Sequence, residues 1–393
     1  MKKNEENTIL WINNMRVIMD ILLGPFLTAY FIKTSKNSIP SISYYNILVY
    51  IVCMIGTYFT AKIIKNKFRI ESFRLGVFIR FIYILLIIIL KEKIIKHLLL
   101  IAIFSGLSTA IYWFPYNLFV INKINNKNRT KFTVKNETMA ATINIIFPIL
   151  FGTIISKTNF ELTTLIILGI SIIQVLLSFF IINDKEDKFP SFNINKTIKL
   201  IKNNKEIKNL LLAQFLFGMT TYGSLEKLKT ILIIQSLKTN LNLGIITSLA
   251  TVLSIITIKI YSKIYKEKND KNIILLSSIL PVISVFIIFF IKNPFTIILY
   301  NIFYIVFTTL LHLTTNIRLF NISDSKIIDK NNQCEFFTLR EIILNIGRIL
   351  GFIIMYLVSK TNNELLLNSN LLLLTVLIVL IGLLVRKVKK YEE

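Results

Sequence analysis

The stretch HLLLIAIFSGLSTAIYWFPYNLFVI, residues 97–121, runs for 25 residues without an Asp, Glu, Lys or Arg. A spanning helix needs roughly 20 apolar residues to cross a hydrocarbon layer of ~30 Å, and this run is long enough. Similar runs precede and follow it near 10–32, 43–64, 75–90, 138–156 and 161–182. They resume near 209–235, 244–264, 273–291, 294–318, 337–359 and 365–385. One buried core cannot account for apolar runs spread along a whole chain, whereas twelve membrane helices can. Composition agrees: charged residues make up 17% of the chain, against about 25% in soluble proteins, and mean hydropathy is +0.65. The expected fold is an all-α polytopic membrane protein.

A net charge of +25 first suggests nucleic acid, because a basic patch is the footprint of phosphate binding. Its distribution points elsewhere. With the N-terminus inside, the predicted cytoplasmic segments hold 30 of the 46 basic residues and the external loops 9. That bias is a topology signal. It predicts both termini in the cytoplasm, a place in the cytoplasmic membrane, the lipid bilayer as partner and no nucleic acid. The N-terminus mixes Lys2, Lys3, Glu5 and Glu6, and Arg16 and Asp20 break its first apolar run, so no cleaved signal peptide is expected. Two cysteines, Cys53 and Cys334, and two histidines, His97 and His312, allow neither a disulfide framework nor a histidine-rich metal cluster.

The one long polar break, Asn183–Lys208, divides the chain near its middle into expected bundles 1–182 and 209–393. Its basic part, Asn195–Lys208, suits a helix lying on the membrane surface. The halves share sequence. Lys62-Ile63-Ile64-Lys65-Asn66-Lys67 matches Lys263-Ile264-Tyr265-Lys266-Glu267-Lys268 at an offset of 201 residues. Leu118-Phe119 matches Leu319-Phe320, and Asn144-Ile145 matches Asn345-Ile346, at the same offset. Each match is weak in a chain so rich in Lys, Ile and Asn; the shared offset gives them weight. Repeated halves are a common transporter design, with substrate held near the midplane between them.

In this arrangement the chain resembles the major facilitator superfamily: six plus six helices, termini inside and a longer central cytoplasmic loop. The basic loop from Ala61 to Arg74 sits where that family carries its Gly/Asp/Arg-rich motif. Here Lys62, Lys65, Lys67 and Arg69 keep the basic character without the acidic residue and inner glycine. Pro148 and Gly152 faintly resemble the Gly-Pro motif of the family's drug exporters.

Charges inside a bilayer cost ~2.5–3.5 kcal/mol at a helix centre, so each invites a functional reading. Asp20 lies about ten residues into the first run, roughly 15 Å deep. Asn13, Arg16, Asp20, Gly24 and Thr28 recur at helical spacing, forming one polar stripe. Asp20 suits proton coupling or substrate binding, and the resemblance implies a central cavity lined by this helix. The competing reading is an internal Arg16–Asp20 pair at i,i+4. In the eleventh run Glu341, Asn345 and Arg348 share a face. The resemblance implies that Glu341 meets Lys62, Lys65 and Arg69 in a cytoplasmic gate. Arg348, deeper, needs an anionic partner, and a structural Glu341–Arg348 network competes with both roles.

Ser105, Thr109, Tyr112 and Tyr116 form a stripe on the fourth run; Asn301, Tyr304, Thr308, His312 and Thr315 form another on the tenth. Both suit a cavity wall, and both equally suit helix packing. His312 is a candidate proton relay or a packing residue. Gln214, Gly218 and Thr221 line one face of the seventh run, beside Glu226, Lys227 and Lys229.

The leading expectation is a monomeric secondary transporter of a small organic solute, coupled to a proton or another ion, with export of amphipathic compounds slightly favoured. A lipid or lipid-linked precursor flippase and a non-transporting receptor or scaffold are the alternatives. No Walker loop, HExxH or GxSxG occurs, so no enzyme and no cofactor are expected.

Overall fold

The structure is a computed structural model that describes residues 3–35, 38–66, 69–123, 126–181, 192–264, 269–291, 293–324, 328, 332–361 and 363–388. Among the described residues every regular element is a helix. Ten helical stretches are long and apolar enough to cross a membrane. One of them, Ile70–Tyr116, spans 47 residues and comprises two antiparallel helices. These are α4 (Arg69–Leu90) and α5 (Leu98–Lys123), joined through the 3-10 segment Lys91–His97, where Lys91 takes φ 44°. A further helical region, α9 (Lys205–Met219) and α10 (Leu225–Leu237), is broken by a π-helical turn at Thr220–Ser224. Splitting the first and adding the second gives the twelve expected spans.

The remaining helices are α1 (Lys3–Ile21), α2 (Leu27–Thr34), α3 (Ser38–Asn66), α6 (Asn126–Lys157), α7 (Phe160–Ser178) and α8 (Ile194–Asn203). After the broken span come α11 (Asn240–Ile264), α12 (Asp270–Phe290), α13 (Pro294–Asp324), α14 (Gln333–Lys360) and α15 (Glu364–Arg386). Helices α1 and α2 form one span through the π-helical turn Leu22–Phe26, which holds Pro25. Proline has no N–H to donate, and a widened turn absorbs the missing bond. Abundant asparagine supplies the caps: side chains of Asn159, Asn193, Asn204 and Asn363 accept from the first backbone N–H groups of α7, α8, α9 and α15.

The chain divides into two compact units, Met1–Ser191 with Thr239–Thr251, and Phe192–Lys238 with Val252–Glu393. Large apolar side chains such as Leu99, Ile166, Phe290 and Leu357 are exposed. A bilayer is the solvent that tolerates them. Hydroxyls have no water to turn to there, so Thr57, Thr164, Thr257 and Thr375 each donate to a carbonyl four residues back.

Lipid tails do not drive helices together, so close contact depends on small residues. In the first unit a Cβ on Gly106 of α5 would stand 2.6 Å from the Val49 carbonyl of α3. One on Gly76 of α4 would stand 2.9 Å from the Ile111 carbonyl of α5. In the second, Gly218 of α9 and Gly347 of α14 each lie against the other helix's backbone, at the Leu344 and Phe215 carbonyls respectively. Arg318 of α13 is ion-paired with buried Asp270 and donates to the carbonyls of Thr314 and Val388, both at 3.1 Å. That pair ties α12, α13 and the chain after α15 together.

Gly347→Leu should therefore destabilise the protein by about 1–3 kcal/mol, because overpacking a closed contact forces the backbones apart. Gly169→Leu, on an open face with nothing within 4 Å of an added Cβ, should leave stability unchanged. Thermal unfolding of the two variants in one detergent gives the comparison.

Candidate functional site

In the first unit the polar stripe of α1 meets α4, α5 and α6. Asp20 is the centre. One carboxylate oxygen accepts from Arg16 Nε at 3.3 Å, and the other is ion-paired with Arg80 Nη2 of α4. Both arginines are buried, whereas the Asp20 side chain keeps 40% of its exposure. Arg16 also donates to the Ser108 carbonyl at 3.3 Å and Thr109 Oγ1 at 3.5 Å. Its guanidinium lies over the Tyr112 ring, 4.8 Å from the centroid. Such a cation–π contact adds favourable electrostatics where water is excluded. Arg80 lies over Tyr83 at 5.3 Å, and its buried Nε has no hydrogen-bond partner among the described residues. One carboxylate thus faces two guanidiniums, and one guanidinium edge is unsatisfied.

Asn13 extends the group. It donates to Asn136 Oδ1 of α6 at 3.0 Å and accepts from the Tyr112 hydroxyl at 3.3 Å. Tyr112 stacks on Tyr116 with centroids 5.9 Å apart, and both sit in a buried cluster with Phe73, Val77 and Phe132. The aromatic stripe of α5 is packed core at those two positions. The Ser105 carbonyl accepts from the hydroxyls of Ser108 and Thr109. Thr28 bonds the Gly24 carbonyl of its own span at 2.8 Å.

The Arg16–Asp20 pair of the competing reading is present, and Arg80 is the partner that sequence reading missed. Its signal was a single charge in LGVFIRFIYILLIIIL, residues 75–90.

In the second unit α14 lies against the break between α9 and α10. Gly223 adopts φ −138°, ψ −124° there, which frees backbone groups from the helical ladder. Arg348 Nε donates to the Tyr222 carbonyl at 3.1 Å, and Nη1 to Asn345 Oδ1 at 2.9 Å. The buried Thr221 hydroxyl in the same turn has no hydrogen-bond partner among the described residues. Glu341 is ion-paired with its neighbour Arg340, whose Nε donates to Gln214 Oε1 at 3.1 Å. Glu341 and Arg348, joined in one network by the competing reading, thus belong to two separate groups. Seven residues, about two helical turns, separate the pair, and each finds a nearer partner.

His312 stacks on Phe217 and Tyr222, with centroids at 4.6 and 4.5 Å, which favours its packing role. Lys229 pairs with Glu226 at 2.8 Å and lies over the Tyr304 ring at 4.4 Å. Thr308 bonds the Tyr304 carbonyl at 2.6 Å. The side-chain amide of Asn301 is buried with neither atom hydrogen-bonded among the described residues. Lys62 is exposed on α3; the side chains of Lys65 and Arg69 lie outside the described residues.

The sequence profile of the Major Facilitator Superfamily matches residues 10–352. The uncharacterized protein YqgE of Bacillus subtilis (strain 168) is 22% identical over 347 residues, covering 87% of this chain and 80% of that protein. A bacterial homologue of the iron transporter ferroportin, in an inward-facing state, superposes with a TM-score of 0.74 at 13% identity, over 98% of this chain and all of that one. The nucleoside transporter NupG gives a TM-score of 0.73 at 12% identity, covering 96% of this chain and 98% of the other. A POT family transporter in complex with 5-aminolevulinic acid gives 0.69 at 11%, covering 96% and 94%. At such identities these structures share the fold.

Two substitutions separate packing from chemistry. Arg348→Ala leaves the Tyr222 carbonyl without its donor and should cost about 1–3 kcal/mol in unfolding measurements. His312→Phe keeps the ring stack and should preserve both stability and transport; loss of transport alone would restore the relay reading.

Proposed function

The chain belongs to the Major Facilitator Superfamily, and on that premise we propose a secondary transporter for a small solute bearing a carboxylate or another anionic group. A transporter rather than an enzyme follows from the family and its structural neighbours. The anionic solute rests on one observation: among the described residues Asp20 alone is ion-paired with both Arg16 and Arg80, and buried Arg80 Nε has no hydrogen-bond partner. A buried donor left unpaired is costly, and a second carboxylate satisfies it. Arginine suits this task because its planar fork binds carboxylates through two parallel bonds. Export of amphipathic cations is the less favoured reading, since it needs a carboxylate open to the cation, and Asp20 is engaged on both oxygens.

We assign proton coupling to the same group as part of this proposal. Protonation of Asp20 removes the charge that holds the two guanidiniums and frees them for the solute. Return of the bare carboxylate displaces the solute. Exposure of the Asp20 side chain, 40%, supports a route for the proton.

The test is uptake into proteoliposomes with a pH gradient, using a panel of small carboxylates, zwitterions, sugars and amphipathic cations. A carboxylate or zwitterion should accumulate, and at about 100 times its Kd it should stabilise the folded protein by about 2.7 kcal/mol. Asp20→Asn should abolish gradient-driven accumulation while exchange across the membrane persists. Stabilisation by amphipathic cations alone, unaffected by Arg80→Gln, would overturn the proposal and restore the export reading.

A further inference from the structure

At the start of the second unit lies a feature that transport chemistry leaves unused. Lys196, Lys199, Lys202, Lys205 and Lys208 recur at every third position, and all five are exposed. The row covers α8 and the first turn of α9, which a single residue, Asn204, separates. Among the described residues none of the five forms an ion pair. The other face of α8 is held by protein. Thr197 is buried, and Ile201 packs against the cluster of Ile207, Leu210, Leu211 and Phe336. At its N-terminus the backbone N–H of Asn193 donates to Glu335 Oε1 of α14 at 2.9 Å. The helix is therefore fixed to the second unit by its apolar side, and its lysines point away from that support.

We propose that this lysine row is a binding site for the headgroups of anionic phospholipids at the membrane surface beside α9. Position selects the lipid. Helix α9 enters the apolar layer directly after Lys208, so Lys205 and Lys208 stand at headgroup level, and α8 is about 15 Å long. Clusters of four to eight basic residues beside a spanning helix attract anionic lipid, an effect confined to about a Debye length from the surface. An amphipathic helix free in solution would insert its apolar face instead; here that face is occupied, so charge makes the contact. Through Glu335 the site is joined to α14, the helix that carries Arg340, Glu341 and Arg348. Headgroup binding thereby steadies the end of α14 next to the broken span.

Full-length protein in phosphatidylcholine nanodiscs, with and without phosphatidylglycerol, tests this by thermal unfolding and by native mass spectrometry of retained lipid. Phosphatidylglycerol should raise the unfolding temperature of the wild type and remain bound, and both effects should weaken with added salt. The triple variant Lys196→Gln, Lys199→Gln, Lys202→Gln should lose the rise and the retained lipid while keeping its stability in phosphatidylcholine. The same three positions changed to Arg should keep both effects. An equal rise in the glutamine variant, or no rise in the wild type, would overturn the proposal. So would an equal rise from inorganic phosphate in phosphatidylcholine discs, which would assign the row to free anions.

Discussion

The interior of the first unit depends on one carboxylate shared between two guanidiniums. Arg16 and Arg80 are buried on different helices, and without Asp20 each would stand as a bare charge away from water. Breaking a buried pair costs several kcal/mol because it strands the remaining ion. The rest of the unit is arranged around that constraint. The Tyr112 ring lies beneath Arg16, the Ser108 carbonyl and Thr109 hydroxyl complete its bonds, and Asn13 ties Tyr112 to α6. Glycines at 76 and 106 let α3, α4 and α5 approach closely enough to close the group.

The second unit meets a different constraint, a spanning helix that breaks in apolar surroundings. Freed backbone groups in a membrane must be satisfied internally or line a polar space. Arg348 satisfies the Tyr222 carbonyl, and the Gly218–Gly347 contact brings α14 close enough for it to do so. Broken helices in transporters present backbone ends to substrates and ions. Here the break is braced by an arginine from the neighbouring helix.

Most of the fold was legible because a membrane imposes few solutions: length and hydropathy give the spans, and basic residues in loops give an expected orientation. The stripe on α1 was legible for the same reason, since Asn13, Arg16 and Asp20 recur at helical spacing. What sequence spacing cannot supply is the partner from another helix. Arg80 belongs with Asp20 sixty residues away, and Asn136 with Asn13 across 123 residues. Glu341 was matched with Arg348 by helical face, whereas adjacency to Arg340 decides its partner. Tyr112 and Tyr116 read equally as cavity wall or core, because ring faces serve both; spacing alone does not supply the neighbours on α4 and α6 that they pack against. The breaks at Leu22–Phe26 and Thr220–Ser224 contain Pro25 and Gly223, residues that permit a break without requiring one.

The central claim is that Asp20 and Arg80 act as one unit, and a double-mutant cycle tests it most directly. Unfolding free energies in detergent would be compared for the wild type, Asp20→Asn, Arg80→Gln and the combined variant. The account predicts a coupling of about 1–3 kcal/mol, with the combined variant losing clearly less than the two single losses together. Additive losses, agreeing to within about 0.5 kcal/mol, would contradict it and leave Arg16 as the only working partner of Asp20.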